Sequence, residues 1–189
     1  PIGTFNGRLL LGTLRESPYF DDLPGNDTRS FSGFALTWQP PGLEGLALGV
    51  SRAVYRPADG TSDVLPHLFD AFLTRPGRPN DVPAGDVSQT PGPDQIYSLF
   101  GRWVFPKSGF EVYGEHARTE FPSSFRDFLE APGHTQGYTL GLQWGRPMSG
   151  GRDALRLQTE VTYLERSTTF RDRPVGTYYT SRAVVQGYT

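Results

Sequence analysis

The chain contains no cysteine and a single methionine among its 189 residues. Without thiols there is no disulfide scaffold and no thiolate metal site, and such a chain is suited to passage through an oxidising periplasm. Charge of one sign is also lacking. A formal net charge of −2 gives no basic footprint for a nucleic acid, which is excluded as a partner. No stretch approaches the ~20 consecutive apolar residues of a membrane helix. Histidine is scarce as well: His67, His116 and His134 fall in a helical, a strand-like and a loop segment without ligand spacing, so no metal site is expected. Neither a Gly-x-Ser-x-Gly elbow nor a phosphate loop is present, no cofactor is implied, and no enzyme is expected.

What the chain has in quantity is 23 Gly, 17 Pro, 13 Phe, 9 Tyr and 3 Trp, a mixture that suits many strands joined by turns. Alternation of apolar and polar residues marks eight strands, at about 4–14, 31–39, 43–56, 95–105, 110–118, 136–145, 153–164 and 177–188. Most exceed the ~5–6 residues usual in soluble sheets and meet the ~9–11 of a tilted bilayer-crossing strand. The connections alternate strictly between long (15–30, 57–94, 119–135, 165–176) and short (40–42, 106–109, 146–152). An up-and-down sheet would therefore carry its tight turns on one rim and its excursions on the other, as outer-membrane barrels do. Residues 1–189 are read as a single region. The opening on Pro1-Ile2-Gly3 and the stop at Gly187-Tyr188-Thr189 are expected of part of a longer barrel. Beyond the hairpin period no internal repeat is evident.

The faces are legible from period 2. Tyr138, Leu140, Leu142 and Trp144 oppose Gly137, Thr139, Gly141 and Gln143; Leu155, Leu157, Thr159, Val161 and Tyr163 oppose Arg156, Gln158, Glu160 and Thr162. Glu44 and Arg52 interrupt the apolar row of 43–56, and Phe100 and Val104 the polar row of 95–105. A soluble sandwich alternates too. The aromatics Trp38, Tyr55, Trp103, Phe105, Trp144, Tyr163 and Tyr179 lie near strand ends, where an interfacial girdle would put them.

Two long connections carry helical signals. Leu65, Leu68, Phe69, Phe72 and Leu73 recur at helical spacing, with Pro66 in the first turn and Pro76-Gly77 beyond the end. An amphipathic helix docking its stripe on the barrel rim or interior is expected, a membrane-surface or partner helix being the alternative. Ser124 and Asp127 have the spacing of a capping pair ahead of Phe125, Phe128 and Leu129, and Pro132-Gly133 ends that turn.

Glu111 and Glu115 invite an acid–base reading. Four residues of strand span ~13 Å, beyond the ~5–9.5 Å of glycosidases, although Glu160 on another strand could close the distance. Together with Gln143 and Gln158 they are expected to be polar lumen groups. A functional reading of the remaining polar set is that Arg118, Arg126, Arg156, Arg171, Arg173 and Tyr113 surround the lumen and hold an acidic polysaccharide, since Arg forks onto carboxylates and Tyr offers a flat surface.

The runs EVYGEHAR (111–118), FRDFLEAPGHTQGYTLGLQW (125–144) and GTYYTSRAVVQGYT (176–189) resemble the Wzi-like capsule assembly proteins of the Gram-negative outer membrane, most strongly over about 95–189. The resemblance implies an all-β, antiparallel up-and-down transmembrane barrel larger than eight strands, with short helices in long connections. The implied role is non-enzymatic: assembly or surface retention of capsular polysaccharide, with outer-membrane lipid and surface glycan as partners. It also implies helical elements at the periplasmic end, which leaves the sidedness of the long connections open. A porin-like solute channel and a soluble β-sandwich that binds or hydrolyses glycan remain the alternatives.

Overall fold

The computed structural model describes residues 2–15, 28–73, 93–119, 129, 136–148 and 153–164. Seven strands run in sequence order as one antiparallel meander: β1 (Thr4–Arg15), β2 (Thr28–Gln39), β3 (Leu46–Pro57), β4 (Asp94–Phe105), β5 (Phe110–Arg118), β6 (Gln136–Pro147) and β7 (Ala154–Leu164). The fold is all-β and up-and-down. It is an open sheet: β1 and β7 are its edges, and the described strands do not close into the expected barrel. The eighth strand (177–188), the capped helix around Ser124 and the aromatic Tyr179 lie outside the described residues. No helix among the described residues is long and apolar enough to cross a membrane.

The strand bounds preserve the alternation of long and short connections, so residues 40–45 and 106–109 share one rim with Met148 and Asp153. There the strand expected from residue 43 begins only at Leu46. Gly42 and Gly45 both take φ of 79°, a left-handed conformation that suits Gly and breaks the strand, and Glu44 belongs to this turn. Its interruption of the apolar row is thereby removed.

One device recurs three times on that rim, a repeat the sequence reading did not find. Gly3, Gly45 and Gly109 have φ of 93°, 79° and 74°, each just ahead of an odd-numbered strand. A Cβ on any of them would overlap a carbonyl of the neighbouring even-numbered strand: Gln39, Val104 and Gly145 respectively. The residue before each of those carbonyls is a tryptophan. Trp38, Trp103 and Trp144 donate their indole N–H to the carbonyls of Ile2, Glu44 and Ser108, at 2.9, 3.3 and 3.1 Å. Each clasp pins a strand start to the strand beside it and satisfies the indole donor.

The register places every side chain on one of two faces. The first carries Phe5, Leu9, Leu36, Trp38, Leu48, Val50, Leu99, Trp103, Phe105, Phe110, Val112, Leu140, Leu142, Trp144, Leu157 and Val161. The second carries Arg102, Glu111, Tyr113, Glu115, Thr139, Gln143, Arg156, Gln158, Glu160 and Thr162, together with Gly33, Ala35, Gly49, Ala53, Gly137 and Gly141, whereas Ser30, Ser32, Arg52, Arg56, Gln95 and His116 stand on the first toward the long-connection rim. Phe100, the apparent error in the polar row, occupies the space above Gly49, where a Cβ would overlap its ring.

The helix expected from Leu65 to Leu73 is broken in two, a 3-10 helix Thr61–His67 and the single turn α1 (Asp70–Leu73). Pro66 sits inside the 3-10 piece, where its missing N–H cannot sustain an α-helical ladder. The segment packs over β1, β2 and β3 on the apolar face, at the rim of the long connections. Beneath it Ser30, Ser32 and Val54 are at most 3% exposed, as is Gln95 beside Arg52.

Candidate functional site: a polar ladder across β4 to β7

The polar face from β4 to β7 gathers most of its hydrogen-bonding side chains into one ladder. Arg102 on β4 directly opposes Tyr113 on β5, which opposes Gly141 and then Glu160. One register step away, Glu111, Gln143 and Gln158 line up. Side chains of opposed pairs lie about 4.5–5.5 Å apart at Cβ and can bond directly across the sheet.

Arg102 grips Glu111 with two parallel bonds, Nε to Oε1 and Nη2 to Oε2, both 2.7 Å, the short bidentate geometry of a guanidinium–carboxylate pair. The Tyr113 ring lies across Gly141, whose missing side chain makes room for it. Its hydroxyl donates to Glu160 Oε2 at 2.6 Å and accepts from Gln158 Nε2 at 3.0 Å. Arg156 Nη2 donates to Gln143 Oε1 at 2.5 Å and to Gln158 Oε1 at 3.0 Å. Thr139 and Thr162 meet through their hydroxyls at 3.0 Å, as do Ser51 and Ser98 at 2.8 Å on the neighbouring strands. Glu115 shares this face and is exposed.

Chemically, this is a surface of alternating hydrogen-bond donors and acceptors beside an aromatic ring. Glu111 is tied to Arg102 and Glu160 to Tyr113, so neither carboxylate is poised as an acid–base partner of the other. No group of three or more His, Asp or Glu side chains able to hold a metal occurs among the described residues.

All five residues expected to be polar lumen groups, Glu111, Glu115, Gln143, Gln158 and Glu160, share the one face. Of the residues expected to hold glycan, Tyr113 and Arg156 are brought together here through Gln158. Arg118 is not. It pairs with Tyr97 and Gln136 on the opposite face and is 4% exposed. Arg126, Arg171 and Arg173 lie outside the described residues. Among the aromatics assigned to strand ends, Trp38, Trp103, Phe105, Trp144 and Tyr163 stand on the apolar face, whereas Tyr55 stands on the polar face, 9% exposed and against Phe31. Arg102 was missed, although its parity in β4 opposes it to Trp103 and so places it in the polar row.

The described polar face holds Arg102 and Arg156 against Glu111, Glu115 and Glu160 between β4 and β7. It is therefore not a cationic surface. Among its ion-capable groups, Arg156 bonds only to amides, and it makes no ion pair among the described residues.

No family model matches the chain, and no curated protein and no solved structure matches it either.

Proposed function

We propose that the chain is part of an outer-membrane β-barrel that holds or organises capsular polysaccharide at the cell surface, without catalysing a reaction. The observation that carries this reading is the opposition of the two faces. Leu99, Leu140 and Val161 are 60%, 61% and 59% exposed in the middle of one face, while the other carries the bonded polar ladder. Exposed apolar area of this extent on a sheet is costly in water and is what a bilayer covers.

Two further features support it. The three tryptophans form a row at the short-turn rim, and Tyr138 stacks on Tyr163 at 5.2 Å toward the other rim. From Trp144 to Tyr138 the strand covers about 20 Å at ~3.3 Å per residue, comparable to the ~25 Å apolar band between aromatic girdles of such barrels. The resemblance of 111–118, 125–144 and 176–189 to the Wzi-like proteins supplies the glycan. In this reading Tyr113 offers its ring to a sugar face, Gln143 and Gln158 bond hydroxyls, and Arg156 meets a glycan carboxylate. The barrel closes through strands beyond the seven described.

The test is expression of the full-length protein in a capsulated Gram-negative host lacking its own copy. Recovery in the outer-membrane fraction with heat-modifiable migration, and restored cell-bound capsule that falls with R156A, are the expected results. Extraction without detergent would refute the barrel. A stable pore in planar bilayers that capsular glycan does not affect would refute the capsule role and favour a channel.

A further inference from the structure

The helical segment over β1 to β3 is built inside out for a water-soluble surface. An amphipathic helix on a soluble sheet docks its apolar stripe and shows its polar side. Here the polar groups from His67 to Ala71 are turned to the sheet. Ser32 Oγ donates to the Leu68 carbonyl at 3.0 Å and accepts from the Ala71 N–H at 3.2 Å. Arg52 Nη1 donates to the Ala71 carbonyl at 3.2 Å, and Arg56 grips Asp70 Oδ2 through Nε and Nη2, both at 3.3 Å. His67 Nδ1 lies 3.1 Å from the same carboxylate oxygen. Ala71 is fully buried. Leu65, Phe69 and Leu73, spaced by four residues, point away from the sheet at 76%, 54% and 77% exposure.

That outward ridge does not end at the segment. Phe72 stacks on Phe34 with ring centroids 4.5 Å apart. Phe34 shares its face with Leu36 on its own strand and with Leu9 directly across from it, and Leu36 opposes Val50. The ridge therefore continues the apolar face without a polar break, while Arg52, Arg56 and Ser30 are drawn beneath the segment, with Gln95 beside Arg52. A surface running over several strands and a helix is too extended for a single peptide partner and matches a lipid boundary.

We infer that Thr61–Leu73 lies in the bilayer interface as a lipid-embedded collar at the long-connection rim, with Leu65, Phe69 and Leu73 in the acyl region of that leaflet. This rests on the apolar face being the lipid face. An interfacial helix of this kind sinks its apolar side about 5–10 Å into the headgroup–acyl boundary. The segment then marks the level of one leaflet's interface, as the Trp row marks the other.

The absence of native cysteine makes the test direct. Single variants L65C, F69C and L73C of the full-length protein, labelled with an environment-sensitive fluorophore, are reconstituted in phosphatidylcholine vesicles carrying either shallow or deep nitroxide lipids. L140C reports on mid-band and T139C on the polar face. The expected result is strong emission loss with the shallow quencher at all three collar positions, loss with the deep quencher at Leu140→Cys, and none with either at Thr139→Cys. If Leu140→Cys is quenched and the collar positions are not, the collar is refuted and the lipid face stands. If Leu140→Cys is also unquenched, both are refuted.

Discussion

The two faces of this sheet are made from the same strands and differ in how they treat their side chains. On the polar face, the large groups between β3 and β7 are set against partners across the register: Arg102 on Glu111, Tyr113 over Gly141 and onto Glu160, Phe100 over Gly49. On the apolar face, Leu99, Leu140, Leu157 and Val161 stand exposed, and hydrogen bonds gather at its two rims: the tryptophans at one, and Ser32, Arg52, Arg56 and His116 toward the other. A face of isolated leucines is stable against a medium that needs no directional bonds, whereas a face of polar groups in a confined wet space needs partners chosen across the register. On the proposed reading, the comparison separates what lipid would fill from what side chains must build.

The largest effect expected from breaking this contrast is a charge on the apolar face. Leu140→Arg should cost about 2–4 kcal/mol, the range for Arg near the bilayer midplane, whereas Thr139→Arg, one residue away on the polar face, should cost far less. Unfolding in urea from lipid vesicles measures both, and equal costs would remove the distinction between the faces.

Next come the glycines. Gly141→Ala should displace the Tyr113 ring and cost about 1–3 kcal/mol as an overpacked site, with loss of retained glycan. Gly114→Ala on the opposite face meets the flexible end of the Leu140 side chain at 3.0 Å and the Thr139 carbonyl oxygen at an ordinary 3.4 Å, and should be tolerated. The same unfolding assay separates them.

A smaller effect is expected at the rim. Trp144→Phe keeps an aromatic ring at the rim but removes the indole N–H that bonds the Ser108 carbonyl, a loss that should cost about 0.5–1.5 kcal/mol and is read in the same way. Smallest is Glu111→Gln. Arg102 is 59% exposed, so the pair should contribute only about 0.2–1 kcal/mol, and less at high salt. A salt series on the variant and the parent would show the difference shrinking.

Much of this arrangement is legible in the sequence because a strand's side-chain period is 2 and tolerates no drift. The bounds of β5, Phe110–Arg118, coincide with the expected segment, and the parities read along each strand are those the register pairs. Arg118 shows the same rule from the other side. Alternation from Phe110 puts it on the apolar face, whereas its inclusion in the glycan set rests on side-chain chemistry alone. Positive-φ glycines are harder to foresee, which is why Leu43 to Gly45 read as strand. The Trp–Gly clasps escaped because their spacing is uneven. Gly3 to Trp38 and Gly109 to Trp144 are each 35 residues, whereas Gly45 to Trp103 is 58, a long connection having been inserted. The apolar stripe of Leu65 to Leu73 was visible, but its direction was not, since periodicity shows that a helix has two sides and does not say which one meets the sheet.

The most direct test of the opposed faces is a cysteine scan along β6 and its neighbour in intact outer membranes, using a membrane-impermeant maleimide. Thr139→Cys, Gln143→Cys and Glu115→Cys should react, while Leu140→Cys, Leu142→Cys and Val112→Cys should react only after detergent. Uniform labelling, or the reverse parity, would contradict a sheet with lipid on one face and water on the other.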